Sequence, residues 1–473
     1  MIRLTKIIDS PPLTLFLLFL FFYISITGGN FWESDSQSMY QTAKNLIDHQ
    51  SFAVDCFWEA AKSGNVCYSK YGLISSLIII PMYLLEKLFL DVFHNTYFYA
   101  GFFPSLTNCF ITSLLVVLTY KYLIKLKFSE KYAIMGALLL GFGTYLSAYT
   151  KTLFSEPLTT LLFYSASYVF IFWKQTPKNL ALAGFLFGFT FLTKFGILIF
   201  LPCLIYVFIS KKINLKHFLY FIIPLFFCVI IYFIYNYLRF GDIFDSGYRD
   251  IKTFGFPFFY GLYINLLSPG KSLFLYQPII FFAFLGIKKL KKCNPFMLGF
   301  FTIMTLINFT FFSFFQSPTG DLAWGTRYLY TSLPFFIILL MYFLKSYKER
   351  SWRVIFISVF LVSLIIQFSS IYISYHRYIS YIQKKLGIYD IYPIAQLSPL
   401  YGQWKIIFRL NYMDEDRKYW REAFQEYINF DLNYRISPPD IFLLRTKQGI
   451  LVFLLFTLLE LYFLKKLYAM SHL

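Results

Sequence analysis

The sequence predicts an all-α, polytopic helical membrane bundle, and three observations carry that expectation. Of 473 residues, 58% are hydrophobic and 23% aromatic, with a mean hydropathy of +0.58, which excludes an ordinary water-soluble chain. The apolar residues fall in long runs rather than in short alternating segments. Lys and Arg gather in short clusters between those runs, so the formal net charge of +19 reads as positive-inside topology and not as a nucleic-acid surface.

The chain opens Met1-Ile-Arg-Leu-Thr-Lys6 and enters an apolar stretch, 13–26, with the charge and length of a secretory signal. Thr27-Gly-Gly-Asn-Phe-Trp32 then offers no A-x-A-like cleavage site, so the stretch is kept as a first span with its N-terminus in the cytoplasm. Further apolar runs occupy 72–90, 98–120, 132–149, 157–173, 180–193, 195–209, 218–238, 272–287, 295–315, 328–344, 354–375 and 450–464. If every run from 98 onward crosses once, the basic clusters at 121–131, 174–178, 211–216, 288–292, 345–353 and 465–466 all face the cytoplasm. Run 72–90 must then stay outside, and with Pro81, Glu86 and Lys87 it reads as a juxtamembrane helix in the outer interface. The expectation is about twelve transmembrane helices. They are organised as a module 1–238 with a first outer loop 28–97, an outer loop 239–271, spans in 272–375, a small outer region 376–448, and a last span with a cytoplasmic tail, 449–473. The region 376–448 carries a helical pattern over 416–428 and a Pro438-Pro439 break, and reads as a small cap packed on the bundle.

This topology gathers the polar residues of interest at one surface. Glu33 and Asp35 lie where the first span exits, at the level of a lipid headgroup, and Asp35 is read as a general base for an acceptor hydroxyl. Asp35 also opens a helical run with Met39, Ala43, Leu46 and Ile47, where Asp is a favoured N-cap; a cap would fix the carboxylate's direction, so the roles are compatible. Lys151, Ser155 and Glu156 fall at the outer end of the third and fourth spans, and Lys194 at the apex of an apolar hairpin. Arg239 to Asp242, Ser268 to Lys271 and Gly320 to Arg327 face the same way. Snorkelling explains any one such charge, Lys151 for instance, but explains the set less well, because Glu156 directly precedes Pro157 at a span's mouth. Cys56 and Cys67 share the first outer loop, where a bridge would close a short loop in an oxidising compartment; their spacing is no metal motif.

The ordered motifs resemble a family. Glu33-Ser-Asp35 with Tyr40 and Ala43, Tyr68-Ser-Lys-Tyr71 and Phe154-Ser-Glu-Pro157 are similar to the first half of the GT-C membrane glycosyltransferases, which include protein O-mannosyltransferases, the lipid A aminoarabinose transferase and rhizobial galacturonic acid transferases. Leu192-Thr-Lys-Phe195, Asn236-Tyr-Leu-Arg-Phe-Gly-Asp242, Ser268-Pro-Gly-Lys-Ser-Leu273 with Pro278, and Trp324-Gly-Thr-Arg-Tyr-Leu329 are similar to motifs of bacterial members, so the resemblance runs from about 31 to 334. It implies a transferase using a polyprenyl-phosphate sugar donor at the outer, periplasmic face of the cytoplasmic membrane, with Asp35 and Glu156 as its acids and Tyr68, Lys70 and Tyr71 as its basic and aromatic group. Two positions depart from the pattern. A frequent Pro-Pro is Gly72-Leu73 here, and a frequent Arg is Lys194, which keeps charge but loses bidentate geometry toward a phosphate.

The chemistry is argued independently of the family. A sugar on a phosphate already carries a good leaving group, so displacement needs a base on the nucleophile and cations on the phosphate more than it needs an acid. Asp35 supplies the base, and Lys70, Lys194, Arg327 and Lys271 supply the cations. Direct displacement with one base inverts the anomeric centre. Glu33 and Lys151 complete the substrate-binding set, and Glu156 serves to orient the acceptor, to hold a cation or to join Asp35 on a divalent metal; no metal motif and no cofactor is indicated. The expected partners are the lipid-linked donor, a lipid, glycan or protein acceptor, and the bilayer. Two other classes stay open: a transporter or flippase of lipid-linked glycans, although no internal repeat and few mid-span charges are seen, and a non-catalytic membrane scaffold.

Overall fold

The computed structural model describes residues 10–31, 33–57, 60–93, 101–248, 254–315, 317, 319–320, 322–376, 378–379, 393–409 and 440–471. The expected helix over 416–428 and the Pro438-Pro439 break lie outside the described residues. Each of the twelve runs assigned to spans is helical in the residues described, from Pro11–Ser25 through Arg350–Tyr372 to Lys447–Met470. Among the described residues, six helices or helix pairs are long and apolar enough to cross a membrane: Leu73–Leu90, Phe102–Lys125, Leu215–Phe240, Pro295–Phe314, Arg327–Ser346 and Arg350–Tyr372. The protein is a multi-pass, all-α membrane bundle.

Local sequence explains where the helices start. Pro stands in the first turn of Pro11–Ser25, Glu156–Phe172, Pro177–Thr193, Pro295–Phe314 and Leu333–Ser346, where its missing N–H costs nothing. Thr176, Asn214, Asn294 and Thr446 cap the helices that follow them by accepting backbone N–H groups. In the expected juxtamembrane segment, Pro81 opens a second helix, Ile80–Phe93, separated from Leu73–Leu77 by a two-residue turn.

Burial separates inner from outer helices. Every residue from Leu333 to Phe343 is buried, which puts this segment at the centre of the bundle. Leu215–Phe240 and Arg350–Tyr372 keep broad apolar faces exposed, as a helix surrounded by lipid does. The first and last helices pack together through Phe21 against Phe456 and Phe463, with ring centroids 5.1 and 6.1 Å apart. Neighbouring basic clusters lie close in space: Lys211 Nζ donates to Ile171 O beside the 174–178 cluster, Tyr206 near the 211–216 cluster donates to Phe296 O near the 288–292 cluster at 3.2 Å, and Lys345 lies 5.3 Å from the Phe128 ring in the 121–131 cluster.

Three features differ from the sequence expectation. First, the loop after the first span contains a small antiparallel sheet of Ala53–Val54, Val66–Tyr68 and Ala61–Ser63, in that spatial order. Its hairpin pairs Ser63 with Val66 around Gly64-Asn65, a two-residue turn signal that the helical reading passed over. The Cys56–Cys67 disulfide ties this sheet to the preceding turn, and closing so short a loop contributes roughly 2 to 3 kcal/mol. Second, Asp35 is not the cap of its helix: Ser34–His49 has Glu33 at the N-cap, and Asp35 sits within the first turn, where it faces the positive end of the helix dipole. Third, the loop 239–271 holds an apolar helix, Phe258–Leu267, packed near Phe314 through Phe258 at 4.8 Å.

Candidate functional site

Four charged side chains from four distant parts of the chain meet in one cluster. Arg327 donates from Nη2 to Asp35 Oδ2 at 2.7 Å and from Nε to Glu156 Oε1 at 2.8 Å, so one guanidinium bridges both acids. Lys194 Nζ reaches the same Glu156 oxygen at 2.6 Å. The guanidinium also stacks on Phe154, 3.8 Å from its ring centroid, and the Lys194 ammonium sits 4.8 Å from the Tyr328 ring. Glu156 is 3% exposed, Asp35 14% and Lys194 30%, so the cluster opens on the side of Asp35 and Lys194. The other Glu156 oxygen, Oε2, is buried with no hydrogen-bond partner among the described residues. An unpaired buried acceptor costs free energy that a donor from a ligand or water recovers.

Each member is held by its own local structure. Glu156 is the first residue of Glu156–Phe172, where the helix dipole favours an anion. The segment leading to it is pinned by Asn108, whose Nδ2 donates to Thr152 O at 2.7 Å and Phe154 O at 3.0 Å. Ser36 joins this segment to the Asp35 helix: its Oγ accepts from Leu153 N at 3.1 Å and donates to Glu33 Oε2 at 3.0 Å. The stretch before Arg327 hangs from two buried tyrosines, Tyr145 to Thr326 O at 2.8 Å and Tyr149 to Trp324 O at 3.2 Å. Lys194 stands in extended conformation between Pro177–Thr193 and the 3-10 turn Phe195–Phe200.

Gly72 explains one departure from the family pattern. A Cβ there would lie 2.2 Å from Leu192 O and 2.4 Å from Thr193 O, so only glycine permits this approach to the helix end that carries Lys194. Ser75 secures the contact by donating to Thr193 O at 3.1 Å. Lys70 and Tyr71 are thereby placed on the segment that meets Lys194, with the Lys70 ammonium 5.4 Å from the Tyr248 ring and 5.9 Å from Tyr71.

The remaining predicted residues lie elsewhere. The Lys151 ammonium donates to Ile371 O at 2.7 Å and Asp440 O at 2.6 Å and lies 3.5 Å from Asp440 Oδ2, which binds the returning C-terminal chain rather than joining the four-residue cluster. With Glu33 it lines a small polar cavity that also includes Asn30 and Tyr375. Lys271 is buried in the Ser268–Ser272 loop, where Ser268 Oγ donates to Lys271 O at 2.6 Å. Tyr68 pairs with Ala53 and Ala61 in the sheet and packs its ring 5.8 Å from Phe240. No group of three His, Cys, Asp or Glu residues placed to hold a metal occurs among the described residues.

Residues 80–235 match a family model described as dolichyl-phosphate-mannose-protein mannosyltransferase. No curated protein matches the sequence. Among solved structures, ArnT from Cupriavidus metallidurans in its apo state superposes with a TM-score of 0.52 at 11% identity, covering 94% of this chain and 74% of that one. The chain shares the fold of this ArnT structure. ArnT bound to undecaprenyl phosphate gives 0.49 at 12% identity over 95% and 76% of the two chains. The Archaeoglobus fulgidus oligosaccharyltransferase, in complex with zinc and sulfate, gives 0.35 at 13% identity over 90% and 58%.

Within this fold, the sequence reading passed over Arg239 as a site residue although it lay in a singled-out motif. Arg239 is buried at the end of Leu215–Phe240, stacked 3.7 Å from the Tyr235 ring centroid. It donates to Ser69 O, to Asn236 Oδ1 at 2.8 Å and to Tyr235 O at 3.2 Å. Ser69 immediately precedes Lys70, so this arginine clamps the peptide from which Lys70 projects. The signal available in sequence was an Asn and an Arg three apart at a span's end, which reads equally as snorkelling. Arg239→Ala should loosen residues 66–72, because hydrogen bonds from a charged donor contribute about 1.5–3 kcal/mol each. Faster amide exchange there, with the bundle's exchange unchanged, is the expected measurement; unaltered exchange at 66–72 removes the clamp.

Proposed function

We propose that this protein is a membrane glycosyltransferase that moves a sugar from a polyprenyl-phosphate donor to a lipid, glycan or protein acceptor on the outer, periplasmic face of the cytoplasmic membrane. The observation that carries the reading is the pairing of two acids with two cations at one partly open site, Asp35 and Glu156 with Arg327 and Lys194. The family model's description and the fold shared with ArnT support the same class of chemistry.

In the proposed step the donor phosphate enters beside Lys194, the more exposed cation, where Lys194 and Arg327, both still held by Glu156, turn toward it and Arg327 gives up its contact with Asp35. Lys70, on the adjoining segment, adds a third charge. Losing its contact with Arg327 frees the Asp35 carboxylate oxygen to face the acceptor hydroxyl at the moment the substrate is in place. Asp35 then takes the proton of the acceptor hydroxyl, the acceptor oxygen forms a bond to the anomeric carbon, and the bond from that carbon to the phosphate oxygen breaks. The electron pair leaves on polyprenyl phosphate, where the cations hold it. One displacement inverts the anomeric configuration. Glu156 keeps the two cations in register through Oε1 and offers Oε2 to a hydroxyl of the sugar or acceptor.

The test uses the purified full chain in nanodiscs with polyprenyl-phosphate sugars and an envelope lipid extract. Release of polyprenyl phosphate together with a product of inverted configuration is expected. Movement of intact donor across a liposome bilayer without release of polyprenyl phosphate would replace this reading by transport.

A further inference from the structure

The helix Pro399–Arg409 turns large aromatic rings outward, while Leu400 packs against the core. Its inner side carries Gln403, whose Nε2 donates to Ile373 O at 3.1 Å, and Gly402, packed against the Tyr378 hydroxyl. Its outer side carries an aromatic stripe at positions i, i+3 and i+7: Tyr401, which is 54% exposed, Trp404, and Phe408, which is 78% exposed. A surface helix in water turns polar side chains outward instead.

The stripe continues a surface that already belongs to a span. Trp404 stacks on Phe408 with centroids 5.5 Å apart and on Phe368 at 6.1 Å. Phe368 ends a row of exposed apolar residues, Val354, Ile357, Leu361, Ile365 and Phe368, along Arg350–Tyr372. A row exposed on a membrane-crossing helix is exposed to lipid, and the stacked rings carry that environment to Pro399–Arg409. Tyr and Trp are enriched where the bilayer meets water.

We propose that Pro399–Arg409 is an interfacial helix whose partner is the lipid surface, with Tyr401, Trp404 and Phe408 sunk at the boundary of headgroups and acyl chains. The inference is independent of the proposed reaction, and it gives the helix a use at the same end of the bundle. Ser398 Oγ, which accepts from Leu400 N at 3.2 Å, donates to Pro269 O, so the membrane-seated helix buttresses the loop that carries Lys271.

A nitroxide at position 408 tests this in the full chain, as Phe408→Cys on a Cys293→Ser background, reconstituted in phosphatidylcholine and phosphatidylglycerol nanodiscs. Phe408 projects outward, so its replacement removes little packing; Tyr401→Cys gives a second reporter. At both positions, relaxation by oxygen exceeding that by a water-soluble nickel chelate is expected. The reverse ratio would place the stripe in water, and an immobile label shielded from both agents would place a protein surface over it; either overturns the proposal.

Discussion

Arg327→Ala should abolish sugar transfer and also destabilise the bundle, the largest combined effect of any single replacement. The arginine is the only described residue that touches both acids, through Nη2 to Asp35 and Nε to Glu156. As a cation aimed at charge developing on a leaving phosphate, it is expected to contribute about 10³–10⁵-fold in rate, the range known for arginines in phosphoryl transfer. Its removal also leaves Asp35 without its ion pair and Glu156 with Lys194 alone, and breaking a buried pair from one side costs about 3–5 kcal/mol. Arg327→Lys separates the two effects. A lysine keeps the charge but lacks the planar fork that reaches two carboxylates, so thermal stability should recover in part while turnover stays low. Turnover by Arg327→Ala at the wild-type rate would take the arginine out of the reaction.

Asp35→Asn should leave the protein folded and stop the chemistry. Asparagine keeps the size and can accept a hydrogen bond from Arg327, but it cannot take a proton, and loss of a general base costs about 10²–10⁴-fold in rate. In cells, mass spectrometry of surface glycolipids and glycoproteins should show one sugar missing and the unmodified acceptor accumulating, and the mass lost identifies the sugar. Donor binding should persist, because the cations remain and one competing carboxylate is gone. An unchanged glycan profile with stable Asp35→Asn protein would favour transport or a scaffold over transfer.

The membrane fold was legible because it depends on what each segment is made of. Runs such as 218–238 and 295–315 need only be apolar and long enough, since a chain in lipid must satisfy its backbone hydrogen bonds internally, and the corresponding helices are Leu215–Phe240 and Pro295–Phe314. Neighbouring lysine clusters that the positive-inside argument grouped together lie close in space, at 174–178 with 211–216 and at 121–131 with Lys345. The small sheet in the first loop was missed because Ala53–Val54 and Ala61–Ser63 are too short to show alternation, although Gly64-Asn65 carried the turn signal.

Composition and charge order therefore established a multi-pass helical bundle, and the motifs around Asp35, Glu156, Lys194 and Arg327 named charges that the fold brings together. Which of those charges touch was decided by packing. Arg327 meets Asp35 and Glu156 across sequence separations that no local pattern reports, while Lys151, only five residues from Glu156, turns instead to Ile371 and Asp440. Helical propensity and hydropathy act over neighbouring residues. An ion pair between distant segments exists only once the whole bundle has closed around it, and that is why a reading of the chain named the charges but left their partners to the fold.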